Sequence, residues 1–485
     1  MAETTTTQVH EQEDDDRLST LPDDILLLIL NKLNLIRDAA RTTVLSKRWR
    51  HLLGLRSEIV LDVLNFDATH QDDDLEYTMD DLLRTNASVV GATKSILRQH
   101  RRQHTTIQLL DITFYLRDES IGIVRAVDRA MADHMILAAE FTVIPDVPDV
   151  YCEDDDVLLA YGRRFMTFFD AYPRAFTGLK DLNLHTLRLG ESDIANVLST
   201  CEKLEYFSLV NCDAGMDNDQ SFVLQIEHSR LVELVIIFCG FETVELKWLP
   251  RLTRLTCRNW MPSQDQYPLS IGYVPQLRVL TLSNACTAQH QTIKLTEFLG
   301  NTAVGELDLN FLHEKIWIQP EAPKRLAPLQ QNLRVVTLRF IHEEYDLMWT
   351  LFILEAAPLL HTLNIQMSYH ICYSYEENQT DENTRENFDR AADLLKWETH
   401  HDFKHYNMKK LTIEGFQVEA KFTRYIRRVM EAAMNLEVVS LRESHPCLRC
   451  EFLPSTVYPR THKEINLIKK QISAWRSSPI QIEIV

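Results

Sequence analysis

Cys447-Leu448-Arg449-Cys450, with His445 just ahead of it, is the best candidate for chemistry among the 485 residues, because two thiols at this spacing suit a zinc ion or a redox couple. Zinc needs about four ligands, and no second paired cluster stands at a customary distance. A redox pair belongs in a thioredoxin-like strand and helix, whereas this one follows what reads as a repeat strand. Two reduced thiols in a loop are the simpler reading. An enzyme built around the pair is a third-ranked alternative that zinc content would separate. His400, His401 and His405 lie in a polar stretch without Cys or carboxylate partners at fixed spacing, which predicts solvated side chains. The chain holds no Gly-rich phosphate loop, no His-Glu-x-x-His and no nucleophile elbow. These residues predict a protein that is not itself a catalyst and that uses no cofactor and no metal.

Composition bounds the frame that positions any functional residue. The length allows about three average domains or one extended repeat array. A net charge of −19 argues against a nucleic-acid surface, which needs concentrated Lys and Arg. The charge is uneven. Residues 1–16 carry six acids and no base, which predicts a disordered tail, whereas residues 17–56 set eight bases against Asp23, Asp24 and Asp38, a balance of +5. That basic stretch suits attraction to an acidic partner. Nine cysteines, an odd number, and a polar N-terminus without an apolar core argue against secretion and a disulfide framework. A reducing compartment follows, cytoplasm and/or nucleus. The apolar runs Ile25–Leu30 and Leu234–Cys239 are far too short to span a membrane.

The element that recurs is apolar-x-x-apolar-x-apolar. It occurs at Ile107/Leu110/Ile112, Ile136/Ala139/Phe141 and Leu179/Leu182/Leu184, and then in a run beginning at Leu204, Leu231, Leu252, Leu277, Val304, Leu333 and Leu360. The starts in that run are 27, 21, 25, 27, 29 and 27 residues apart. Such periods, with one short strand per unit, mark leucine-rich repeats. Each unit has one apolar edge too small to fold alone, so stacking supplies the core. Cys212 and Cys239 fall eight residues after their repeat starts, where the consensus places Asn or Cys, and read as buried ladder residues. A first strand is expected at Glu58–Leu64, and helical sequence after the acidic patch Asp72–Asp81 and near Val157–Phe169. About His370 to Tyr406 is a polar excursion, after which the pattern resumes at Met408/Leu411/Ile413.

Ahead of the repeats, Leu21 to Trp49 reads as two short helices. Pro22 suits a first helical turn, and Asp23 and Asp24 place negative charge at the positive end of the helix dipole. Ile25, Ile29 and Leu33 recur at helical spacing, with Leu26 and Leu30 widening the stripe. Helices this short cannot bury so much apolar surface against each other, so some of Leu26, Leu30, Leu45 and Trp49 are expected to face a partner. The run Leu21-Pro22-Asp23, Ile25-Leu26, Ile29-Leu30, Ala39-Ala40-Arg41 and Val44-Leu45-Ser46-Lys47-Arg48-Trp49 resembles a plant F-box. The resemblance implies docking to a Skp-type adaptor, and through it to a cullin scaffold and a RING protein. It implies Leu21, Pro22, Ile25, Leu26, Ile29, Leu30, Leu33, Val44, Leu45, Ser46, Arg48 and Trp49 as adaptor-binding residues. Leu411 to Phe416, a helix-like stretch through Arg427 to Ala433, Leu436 to Leu441 and Ser477 to Ile484 resemble the FBD-type end of plant F-box/leucine-rich-repeat proteins.

The expected fold is α/β: a short helical F-box followed by a curved leucine-rich-repeat solenoid, parallel strands on its concave side and helices and loops on its convex side. The expected boundaries are an acidic tail at 1–16, an F-box at 17–56, a solenoid at 57–405 with the excursion at about 370–405, and FBD-like repeats at 406–485. The expected function is the substrate-recognition subunit of an SCF-type cullin-RING ubiquitin ligase. The alternative is a repeat scaffold that does not feed a ligase. Substrate choice is expected on the concave face, where strand offsets give Arg254, Arg258, Glu306, Asp308, Arg339, Glu414 and Arg442. Phe238, Phe311, Phe340 and Met367 share the offset seven after their repeat starts, and either align as an aromatic stripe that anchors an unknown substrate protein or tuck under the turn into the next unit.

Overall fold

Apolar residues at the first, fourth and sixth positions of a repeat dictate a short strand: the fourth and sixth alternate onto one face, and the first anchors the turn that leads in. The computed structural model describes residues 20–33, 46–66, 78–146, 155–215, 223–258, 269–283, 292–299, 302–311, 316–326, 331–369, 397, 402–446, 458–473 and 480–485. The expected acidic tail, Val44, Leu45, His400, His401, Cys447 and Cys450 lie outside these residues. The chain divides into two units, one of Met1–Thr142 with Tyr172–Gly178 and the other of Val143–Ala171 with Leu179–Val485.

The first unit opens with α1 (Asp23–Lys32) and α2 (Lys47–Leu53). The strands β1 (Glu58–Asp62), β2 (Ile107–Tyr115) and β3 (Ile136–Ile144) follow, joined by the helices α3 (Met79–Gln103) and α4 (Ile121–Ala132). A helix between successive strands is what parallel pairing requires. β1 and β2 are parallel, with Ile59 opposite Leu110 and Leu61 opposite Ile112. Thr78 and Asp81 start α3 by exchanging side-chain and backbone hydrogen bonds, a capping box. Phe141 packs edge-on against Phe114 and Phe176, with ring centroids 5.7 and 5.9 Å apart. Where the F-box was expected to end, Arg56 reaches back to the Leu33 carbonyl at 3.3 Å, and β1 begins two residues later.

In the second unit the repeats expected from Leu179 onward are present as one parallel ladder. Its strands are β4 (Leu179–His185), β5 (Tyr206–Val210), β6 (Glu233–Ile237), β7 (Arg254–Arg258), β8 (Val279–Ser283), β9 (Glu306–Asn310), β10 (Val335–His342), β11 (Thr362–Ser368), β12 (Lys410–Glu414), β13 (Val438–Arg442) and β14 (Gln481–Ile484). The register keeps each repeat's fourth position opposite the next one's, from Leu182–Phe207 to Val439–Ile482. Helices α5 (Asp155–Ala171), α6 (Glu191–Thr200), α7 (Ala420–Ala432) and α8 (His462–Ser473) also belong to this unit. The FBD-like end is part of the same sheet, since Leu363 of β11 pairs with Leu411 of β12 across the long excursion. A second parallel sheet, Val223–Glu227, Thr243–Trp248 and Leu269–Tyr273, was not expected from the repeat pattern.

Two backbone devices recur along the ladder. At the repeat starts from Leu231 to Leu436 one carbonyl accepts two successive N–H groups of the next repeat: Glu205 takes Val232 and Glu233 at 2.7 and 3.0 Å, and Thr253 takes Arg278 and Val279 at 2.9 and 3.0 Å. Across the excursion, the His361 carbonyl takes Lys409 and Lys410 at 2.9 and 3.0 Å. Where strands end, Thr186, Asn211, Phe238, Phe340 and Gly415 all stand seven residues after their repeat starts in the left-handed region, with φ of 60, 52, 54, 57 and 75°. That turn conformation costs about 1–2 kcal/mol in a residue with a side chain, so only Gly415 adopts it freely.

Candidate functional site

The two-helix module is closed by its own core. Leu26, Leu30 and Leu52 are fully buried against one another and Trp49, with Leu21, Leu27, Ile29, Leu33, Leu53 and Leu55 packed around them. Of the four residues of which some were expected to face a partner, Leu26, Leu30 and Trp49 are thus taken up by the module's own core, and Leu45 lies outside the described residues. Ser46 caps α2 by accepting from the Trp49 N–H at 3.3 Å. Arg48 donates to Asp23 Oδ1 and to the Leu21 carbonyl, both at 2.6 Å, which pins the last helix of the module to its first turn. Pro22 stands just outside α1 as its N-cap, its carbonyl accepting from the Leu26 N–H at 3.1 Å. What remains on solvent is a different edge of α1, with Pro22 exposed, Ile25 37% exposed and Leu28 58% exposed.

On the ladder, the outward strand positions form an open, mostly polar face. Arg254 and Arg258 stand exposed on β7 and make no ion pair among the described residues. Arg339 instead grips Asp308, its Nε donating to both carboxylate oxygens at 2.9 Å. Gln366 donates to Glu414 at 2.9 Å. Thr337, Arg339, Asn364, Gln366, Lys410 and Arg442 line a shallow depression of about 260 Å³ between β10 and β13. The aromatic stripe does not form. Phe311 is buried against Trp317 and Trp349, ring centroids 5.8 and 5.9 Å away, and Met367 is buried too. Phe238 and Phe340 are half-buried, set by their left-handed turns.

A family model described as the At1g61320/AtMIF1 LRR domain matches residues 170–477, and one described as the F-box domain matches residues 18–58. The chain belongs to that leucine-rich-repeat family and carries an F-box. Among curated relatives from Arabidopsis thaliana, the FBD-associated F-box protein At5g56370 is 28% identical over 56% of this chain and 60% of its own length. The F-box/FBD/LRR-repeat protein At1g13570 is 23% identical over 85% of this chain and 88% of its own. The F-box protein At1g80960 is 48% identical over 48 residues. The chain thus spans about 60% of the first of these relatives.

Along the repeats, the thiols do what the consensus asks. Cys212 Sγ points at the Leu184 and Val210 carbonyls at 3.5 and 3.4 Å, and Cys239 Sγ at those of Leu209 and Ile237, both at 3.4 Å. Burial raises the Cys239 thiol well above its ordinary value and pushes Cys201 up to about 12, which leaves both poor nucleophiles. Among the described residues no group of three or more His, Cys, Asp or Glu could hold a metal. His405 departs from the expectation of a solvated side chain. It is buried, its Nδ1 accepting from the Met408 N–H at 3.0 Å and its Nε2 meeting the Ala357 carbonyl at 2.9 Å. His228 repeats this arrangement, with Nδ1 accepting from Leu231 at 3.0 Å and Nε2 on the Cys201 carbonyl at 3.1 Å. Each stands three residues before a repeat start, and that shared offset was the available signal. Burial lowers the affinity of both rings for a proton.

Proposed function

We propose that this F-box/leucine-rich-repeat protein is the substrate-recognition subunit of an SCF-type cullin-RING ubiquitin ligase, working in the cytoplasm and/or nucleus. The observation that carries the reading is the apolar edge left on α1. Ile25 and Leu28 stay on solvent after Leu26, Leu30, Trp49 and Leu52 have closed the core, and uncovered apolar side chains on a matched F-box suit a Skp-type adaptor. The adaptor links the chain to a cullin scaffold and a RING protein, which bring in the charged conjugating enzyme whose thioester the substrate lysine attacks. This chain contributes proximity rather than catalysis, raising the local concentration of a substrate lysine near the charged conjugating enzyme. The substrate protein docks on the open face of the ladder, where Arg254 and Arg258 offer uncommitted charge and the depression lined by Arg339, Lys410 and Arg442 offers a recess.

Binding of purified Skp-type adaptor to the full chain and to an Ile25→Asp, Leu28→Asp double variant tests the reading. Neither side chain belongs to the module's buried cluster, and circular dichroism checks that the variant stays folded. Loss of binding by about a hundredfold or more is expected, since a carboxylate set in an apolar interface costs several kcal/mol. Failure of the folded wild-type chain to bind would sink the proposal.

A further inference from the structure

A cationic groove lies in the first unit, between α3 and α4. Lys94, Arg98 and Arg101 occupy one stripe of α3 at spacings of four and three, and Arg125 and Arg129 face them from α4 at a spacing of four. Gly122, Ala126 and Ala130 form a floor of small residues, and the recess holds about 160 Å³. A methyl group on Gly122 would stand 2.8 Å from Lys94 Nζ, so the missing side chain is what lets the ammonium lie across the floor.

Five like charges along one recess are costly in a helix pair, and the usual remedy is a carboxylate one turn away. Of the five, only Arg101 has that remedy among the described residues, in Asp133, while Asp128 is turned inward and meets Arg174 at 3.1 Å. Lys94, Arg98, Arg125 and Arg129 have no ion-pair partner among the described residues. All this sits in a chain of net charge −19, where a random surface would be acidic.

We infer that the groove between α3 and α4 is a docking site for a phosphorylated peptide segment, its phosphate held by Lys94, Arg98, Arg125 and Arg129. The guanidinium groups supply two-pronged donors matched to phosphate oxygens, and Lys94 supplies a point charge at the floor. A recess of this size takes one compact dianion with flanking peptide along the helices, not the backbone of a nucleic acid or a flat bilayer. The site does not depend on the ligase reading, and its test uses no adaptor.

The probe is a fluorescein-labelled degenerate nonapeptide library with phosphoserine at its centre, titrated with the full chain in polarisation at about 0.15 M salt, where exposed charges are screened beyond about 8 Å. Parallel arms use the same library with Ser or Glu at the centre, a single-stranded DNA oligonucleotide, and vesicles of anionic phospholipid. The expected result is a preference of about tenfold or more for phosphoserine over both peptide controls, lost by about tenfold in Arg98→Ala, Arg125→Ala, Arg129→Ala. Should that variant fail to fold, Lys at the same three positions keeps the charge and removes the two-pronged donors, and a drop of about fivefold or more is expected. Equal binding of the three libraries, tighter binding of DNA or vesicles than of the phosphopeptides, or unchanged binding in the folded variants would overturn the inference.

Discussion

The F-box module and the repeat ladder reach stability by opposite routes. Among the described residues the module rests on one cluster of four buried side chains supplied by two short helices. The ladder spreads its core over eleven strands in fixed register, so every strand but the last is held by two neighbours and a local loss is shared. One core change can therefore unfold the module, while the ladder tolerates change strand by strand.

The sharpest break is Trp49→Ala. Loss of a buried Trp costs about 3–5 kcal/mol, a large share of what so small a core supplies. The expected outcome is loss of hydrogen-exchange protection in α1 and α2 and loss of adaptor binding, with the ladder's protection unchanged. Leu307→Ala, in the middle of the ladder, costs about 2–5 kcal/mol on the same scale. Here the expected outcome is lower protection in β8, β9 and β10, with adaptor binding retained.

Replacing His405 by Leu leaves the Met408 N–H and the Ala357 carbonyl without that ring, a loss of about 1–3 kcal/mol. The effect depends on pH. Since burial holds the folded ring below its ordinary pKa of 6.5, the histidine's contribution is complete above that pH and is lost as pH falls below it. In urea melts the gap between wild type and His405→Leu should therefore narrow from pH 7.5 to pH 5. The first unit offers the converse. Burial, then the carboxylates of Glu140 and Asp62, push Asp111 to about 6. A carboxyl raised in the folded state is a burden above that pH and is relieved as pH falls toward its ordinary value of 3.8. Asp111→Asn should stabilise the first unit at pH 7, with the gain fading below pH 6. The smallest effect belongs to Arg254→Ala, an exposed side chain with no ion pair among the described residues, whose melting should match wild type within about 0.5 kcal/mol. Weakened substrate capture by that variant would tie the open face to recognition.

The repeats were legible because their period and their apolar offsets are carried by every unit, and the F-box because residue type and spacing match over its whole length. The face of α1 was not. Residues 25–30 are apolar without a break, so the pattern surrounds the helix, and only the position of α2 decides that Leu26 and Leu30 go in while Ile25 and Leu28 stay out. The shared offset of Phe238, Phe311, Phe340 and Met367 was equally ambiguous. Phe311 is claimed by Trp317 and Trp349, which come from later segments, whereas Phe238 and Phe340 turn with their left-handed backbone. His405 sits in a polar stretch whose hydrophilicity masked its offset. The small sheet around Thr243–Trp248 was missed because its strands fall between repeat starts, although its paired residues Leu224, Val244 and Leu269 keep nearly the spacing of the starts at Leu231, Leu252 and Leu277.

The shared carbonyl at these repeat starts works as a ruler that ignores what lies between its marks. The same two hydrogen bonds form whether the next start is 21 residues on, as from Leu231 to Leu252, or 48, as from Leu360 to Met408. Chain length between marks is thereby uncoupled from strand alignment, so descendants of one such gene could lengthen, shorten or exchange those intervals without re-solving the packing of the sheet.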